Sequence, residues 1–117
     1  MKISEVIPIR TVSEANSREH WRAKHKRAQS QRQVVKMVLY NHRFKLPGHD
    51  NYVVTLTRIA QRQLDGDNLQ RSFKAIRDQV AVEIGVDDGS KRITWQYEQK
   101  KGAPKEYAVK VEVDCGK

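Results

Sequence analysis

The feature that most constrains this chain is an apolar stripe with acidic residues at both of its ends. Leu69, Phe73, Ile76, Val80 and Ile84 recur at intervals of 4, 3, 4 and 4 residues, the repeat of one face of an α-helix. Asp67 stands where an N-cap belongs and Gly85 where a left-handed C′ residue belongs, so the spacing predicts one helix over 67–84. Such a helix would be about 27 Å long at ~1.5 Å per residue. Asp65 and Gly66 precede it, and Asp87, Asp88 and Gly89 follow it.

Those acidic groups stand out because the rest of the chain is basic. Lys and Arg number 23 against 14 Asp and Glu, a net charge of +9 in 117 residues. That length supports one domain, residues 1–117, built around a single core. So large a surplus makes a polyanion the first partner to consider. It is also clustered: residues 17–37 hold seven basic side chains (Arg18, Arg22, Lys24, Lys26, Arg27, Arg32, Lys36) against one acidic, Glu19.

Around the acidic helix the pattern is that of a mixed sheet. Residues 3–10 partly alternate and predict a first strand that Pro8 confines to an edge or ends early. Asn16 or Ser17 can cap a long helix running to about Asn41. Its second half offers Val34, Val35, Val38 and Leu39 to a core, whereas in its first half only Trp21 and Ala28 look core-facing. Pro47, Gly48 and Asp50 mark a turn, and residues 52–60 are β-branched and partly alternating. Residues 92–98 and 107–113 alternate again and predict a hairpin joined through Lys100, Lys101 and Lys105. The expected fold is therefore α/β (α+β): a single domain with a mixed β-sheet of about four strands and two main helices.

Several functional classes are excluded or disfavoured. The single cysteine, Cys115, can build neither a disulfide framework nor a zinc site and suits a reducing cytoplasm. The N-terminal residues include Lys2, Glu5 and Arg10 without an apolar segment, so no secretory leader is expected. No apolar run is long enough to cross a membrane. His20 and His25 are five residues apart and share no helical face. There is no Walker loop, dinucleotide fingerprint or nucleophile elbow.

The acidic pairs suit a different chemistry. Hydrolysis of a phosphodiester with Mg²⁺ needs hard oxygen ligands, and Asp-x-Asp beside a small Gly66 can turn two carboxylates toward one point. Like charges brought together raise one another's pKa unless a cation neutralises them. The same spacing also suits an ordinary N-cap, a loop residue and a polar turn, and both readings stay open at this point.

The run Asp65-Gly66-Asp67-Asn68-Leu69-Gln70, then a helix, then Asp87-Asp88 resembles the RusA family of Holliday junction resolvases, Mg²⁺-dependent endonucleases carried by phages and prophages. The resemblance covers roughly residues 52–98, and the basic stretch from Asn16 to Arg32 is similar to the N-terminal part of phage-borne members. It implies a RusA-like nuclease domain in which Asp65, Asp67 and Asp88 hold Mg²⁺ and Asp87 is an accessory acid. The family's catalytic lysine falls on Arg71, which keeps the charge but not a lysine's capacity to donate a proton, and Lys74 one turn on could substitute. On this reading Arg18, Arg22, Lys24, Lys26, Arg27, Lys91 and Arg92 contact the phosphates of branched DNA, a four-way junction, without reading its sequence. A straight 27 Å helix would keep Asp88 away from Asp65 and Asp67 of its own chain. Two antiparallel copies related by a two-fold axis would bring these residues together, so a homodimer is expected. Two alternatives remain: a non-catalytic branched-DNA-binding protein with the same fold, favoured by Arg71, and an RNA-binding module that displays Trp95 and Tyr97.

Overall fold

The computed structural model describes residues 2–11 and 21–116. In chain order the elements are β1 (Lys2–Ile7), α1 (Trp21–Leu39) with a 3₁₀ turn at Tyr40–His42, β2 (Asn51–Ala60), α2 (Gly66–Ser72), α3 (Lys74–Ile84), β3 (Ile93–Lys101) and β4 (Ala108–Gly116). The strands form one mixed sheet in the order β1-β4-β2-β3, with three helices, an α+β domain as the sequence predicts. β1 stops before Pro8 and lies at an edge, where a residue without an N–H does no harm. The predicted cap at Asn16 or Ser17 falls outside the described residues.

The core is the inner face of the sheet. Tyr52, Val54 and Leu56 of β2 alternate inward beside Val109, Val111 and Val113 of β4, with Ile3 and Ile7 of β1 and Ile93 of β3 completing the layer. Val35 and Leu39 of α1, Leu69 of α2, and Ile76, Val80 and Ile84 of α3 close over it. Trp21 departs from expectation: it is exposed, and the first buried residue along α1 is Gln31, just past its middle. Trp95 and Tyr97 point inward against the core and are not displayed on an open sheet face, which removes the feature that favoured an RNA-binding module.

Two further expectations are corrected. The predicted hairpin does not form, because β3 and β4 flank β2 on opposite sides, β3 parallel and β4 antiparallel to it. The connection passes over the end of β2, where the Gly102 N–H donates to the Ala60 carbonyl at 3.0 Å. A Cβ at Gly102 would meet Glu106 Oε1 at 2.7 Å and Ile59 Cγ2 at 3.1 Å, so a larger residue there would displace the Glu106 carboxylate from the crossing.

The single helix over 67–84 is two helices, broken at Phe73 (φ −95°, ψ 0°). The Ser72 hydroxyl donates to the Leu69 carbonyl at 2.7 Å, and the Phe73 N–H reaches back only three residues, to Gln70. Local bonding of this kind bends a helix. The bend places Phe73, fully buried, in a stack on Tyr97 with ring centroids 5.9 Å apart. The N-cap is Asp65, not Asp67: its carboxylate accepts the Asn68 N–H at 3.0 Å. Gly85 does close α3 in the left-handed conformation, φ 84°.

If the bend is held by Phe73, Phe73→Ala should cost about 3–5 kcal/mol of unfolding free energy, measured by urea denaturation. Ser72→Ala should cost about 1 kcal/mol or less, because it removes one hydrogen bond and leaves the stack intact.

Candidate functional site

Residues from β2 and β3 position the Asp65 loop. Arg58 and Gln99 are cross-strand partners on the inner face, where the row of apolar side chains gives out. Gln99 grips Leu64 twice: its Oε1 accepts the Leu64 N–H at 2.8 Å and its amide donates to the Leu64 carbonyl at 2.7 Å. Arg58 donates to the Arg62 carbonyl. These bonds fix the chain just before Asp65. Asp65 and Asp67 themselves are exposed. Gly66 lies in open space without a positive φ, so the tight turn expected of it is not what holds the pair.

The second acidic pair is anchored from α3 and β3. The Asp88 carbonyl accepts from Trp95 Nε1 at 2.9 Å and from Arg77 at 3.2 Å. Arg77 also donates to the Tyr97 hydroxyl at 2.7 Å and lies 4.8 Å over the Trp95 ring. Its Nε is 3.7 Å from Asp88 Oδ2. At the turn, Asp87 Oδ1 accepts the Gly89 N–H at 3.0 Å. That bond, and a second with the Asp88 side chain, pull the Asp87 pKa down.

A third carboxylate joins this pair. Asp78 of α3 has its pKa raised first by burial and then by the charge of Asp88, which its carboxyl group also meets in a side-chain hydrogen bond. Asp78 was not identified from sequence: it lies within α3, ten residues before Asp88, and only the turn after Ile84 brings the two together. Arg77 and Gln99 were missed too; both act by fixing the backbone near an acidic residue.

A groove runs along the seam of α1 with α2 and α3; it reaches Asp87 and Asp88, while Asp65 and Asp67 lie outside its lining. One part, a cavity of about 520 Å³, is lined by Lys24, His25 and Arg32 of α1 and by Arg71, Lys74 and Asp78. A second part of about 460 Å³ shares Arg32 and Asp78 and continues to Asp87 and Asp88. The groove is thus basic at its α2 end and acidic at its α3 end. Arg32 spans the seam and donates to Gln79 Oε1 at 3.1 Å.

The structure therefore brings Lys24, Arg71 and Lys74 together, and separately Asp87 and Asp88 with Asp78. It does not bring Asp65 and Asp67 to Asp88 within one chain. Asp65 follows the C-terminal end of β2 and Asp88 precedes the N-terminal end of β3, and those strands are parallel. From Tyr52 to Ala60 the ladder spans about 26 Å at ~3.3 Å per residue. Among the described residues, no three carboxylate, imidazole or thiol groups meet closely enough to hold a metal ion. Arg22, Lys26 and Lys91 are exposed and Arg27 is half-buried. Arg92 bonds the carbonyls of His49 and Asp50, so its guanidinium also braces the turn before β2. Arg18 lies outside the described residues.

A scan against models of known protein families finds no match, and a search of curated proteins finds none either. No helix among the described residues is long and apolar enough to cross a membrane.

Because the Asp78 pKa is raised in the folded state, folding favours its protonated form. Its contribution is therefore fully present below the ordinary carboxylate value and is lost as pH rises through the raised one. In EDTA, Asp78→Asn should melt above the wild type at pH 7 and level with it near pH 3, as followed by circular dichroism.

Proposed function

We propose that this chain is a Mg²⁺-dependent, structure-selective endonuclease that resolves four-way DNA junctions as a homodimer, in the manner of the RusA family it resembles. The observation that carries the reading is the groove along the helical seam, which sets a cluster of cations beside a cluster of carboxylates. A phosphodiester needs both: positive charge for its oxygens and hard anionic ligands for a divalent ion.

The donor set fits such an ion. Every candidate ligand is a carboxylate, and a divalent cation would relieve the Asp88 charge that, after burial, raises the Asp78 pKa. Asp65, Asp67 and Asp88 would hold Mg²⁺, which would supply Lewis-acid activation of the phosphodiester and of the attacking water. Arg71, Lys74 and Lys24 hold the negative oxygens of the DNA backbone, and Arg32 sits where the two charges of the groove meet. Arg77 and Trp95 keep the Asp88 loop in one place, and Asp87 and Asp78 set its local charge. The separation of the two acidic loops by the length of the sheet supports a two-fold arrangement in which each site draws residues from both chains. The exposed Arg22, Lys26 and Lys91 extend the phosphate track. One buried cysteine and the absence of a membrane helix among the described residues are compatible with a cytoplasmic enzyme.

Cleavage of a synthetic four-way junction beside matched linear duplex tests the reading. Paired nicks should form on the junction with Mg²⁺, vanish in EDTA, and fall at least about a hundredfold in Asp67→Asn. Tight junction binding without nicks would replace the enzyme with a non-catalytic branched-DNA-binding protein. Light scattering should give twice the chain mass; an active monomer would remove the composite site. Junction affinity should drop by ~10³ or more between 50 and 200 mM salt if six or more phosphates are contacted.

A further inference from the structure

Arg58 occupies a position that the fold reserves for an apolar side chain. It follows Tyr52, Val54 and Leu56 in the inner row of β2, stands opposite Val109, and is only 7% exposed. Its guanidinium meets neutral acceptors: Nε donates to the Thr11 hydroxyl at 2.9 Å and one terminal nitrogen to the Arg62 carbonyl. The charged group beside it is another cation, Arg10. Burial first, and the Arg10 charge as well, lower the Arg58 pKa against an opposing pull from Tyr107. No ion pair joins Arg58 to a carboxylate among the described residues. Burying a cation without a counter-charge is costly.

The side chain borders a cavity of about 260 Å³ walled by Arg10, Thr11, Arg62, Leu64 and Tyr107. Arg10 lies 4.4 Å over the Tyr107 ring, which steadies the rim. The volume is several times the ~30 Å³ share of one water. Three arginines, a hydroxyl and a phenol suit a tetrahedral oxyanion. Leu64, one wall, directly precedes Asp65.

We propose that this cavity is a phosphate-binding pocket that takes a backbone phosphodiester of DNA beside the Asp65 loop. The oxyanion supplies a counter-charge that no described residue gives Arg58, and through the Arg62 carbonyl its binding steadies the approach to Asp65. That the phosphate belongs to DNA rests on the nuclease reading; that the pocket takes phosphate does not.

Thermal melting in inorganic phosphate, against chloride at matched ionic strength, tests the pocket alone. The wild-type midpoint should rise saturably with phosphate. The rim variants Arg62→Gln and Arg10→Gln should lose the rise, as should Arg58→Leu, which completes the apolar row. If Arg58→Leu fails to fold, the rim variants decide the matter. Junction binding in EDTA, read by fluorescence anisotropy, tests the source: each rim variant should bind roughly tenfold more weakly and reduce the salt slope by about one. No phosphate-specific rise in the wild type, or an equal rise in the rim variants, overturns the pocket. A lost rise with unchanged junction affinity assigns the pocket to free phosphate and overturns its role toward DNA. A wild type that keeps the phosphate response but never cuts DNA upholds the pocket and overturns the nuclease reading.

Discussion

Strand β2 is hydrogen-bonded on both sides, parallel to β3 and antiparallel to β4, and its register decides what is built above the sheet. Side chains alternate across a strand, so a slip of one residue would exchange its two faces. In the observed register Tyr52, Val54 and Leu56 receive the helices, and the next inward positions, Arg58 with its partner Gln99, are polar. Those two hold the backbone at Arg62 and Leu64 and so direct the chain toward Asp65. The same ladder sets the other acidic pair at its far end, since β3 runs parallel to β2 and begins beside Tyr52. The distance between the acidic loops is therefore a property of the strands.

What the sequence made legible was periodic. The alternation of β2, β3 and β4 and the apolar half of α1 each correspond to an observed element, and the stripe of the acidic region to two, α2 and α3. What it hid depends on partners distant in the chain. Phe73 fits the stripe of one straight helix, whereas in the structure it stands at the break and stacks on the Tyr97 ring of β3, a partner distant in the chain. Strands β3 and β4 alternate in the same way whether they pair with each other or with a strand between them, so their neighbours could not be read from pattern. Trp21 looked core-facing because of its size, yet its turn of α1 lies beyond the apolar face. Arg58 is one polar residue in a strand run until the register turns it inward, and only the burial of that position gives it meaning. Asp78 resembles any polar helical residue until the turn after α3 brings Asp88 to it.

The electrostatics of the groove are unbalanced by construction. Arg77, the cation nearest Asp88, directs its hydrogen bonds to a carbonyl and a phenol and keeps its Nε 3.7 Å from the carboxylate. It orients the loop more than it neutralises it. Asp78, Asp87 and Asp88 thus keep a concentrated negative field in a chain whose net charge is +9. Repulsion between Asp88 and Asp78 is the cost of that arrangement, and it falls on a stretch whose backbone is fixed by Trp95, Gly89 and Gly85.

The place of β4 in the sheet bears on how the chain reaches its native state. β4 is the last strand in sequence but an interior one in space, pairing with β1 from Lys2↔Asp114 to Ile7↔Val109 and with β2 along its other edge. Until it is added, β1 has no strand beside it and β2 presents an open edge of unpaired amides. Pairings that span most of the chain close slowly, because the entropy of a long loop must be lost before the contacts form. During synthesis on a ribosome the β2-α2-α3-β3 unit can assemble first, and the first strand must wait for the last. A chain cut before Ala108 would hold both acidic loops and most of the groove, yet it would expose the adhesive edge of its central strand to every neighbouring copy.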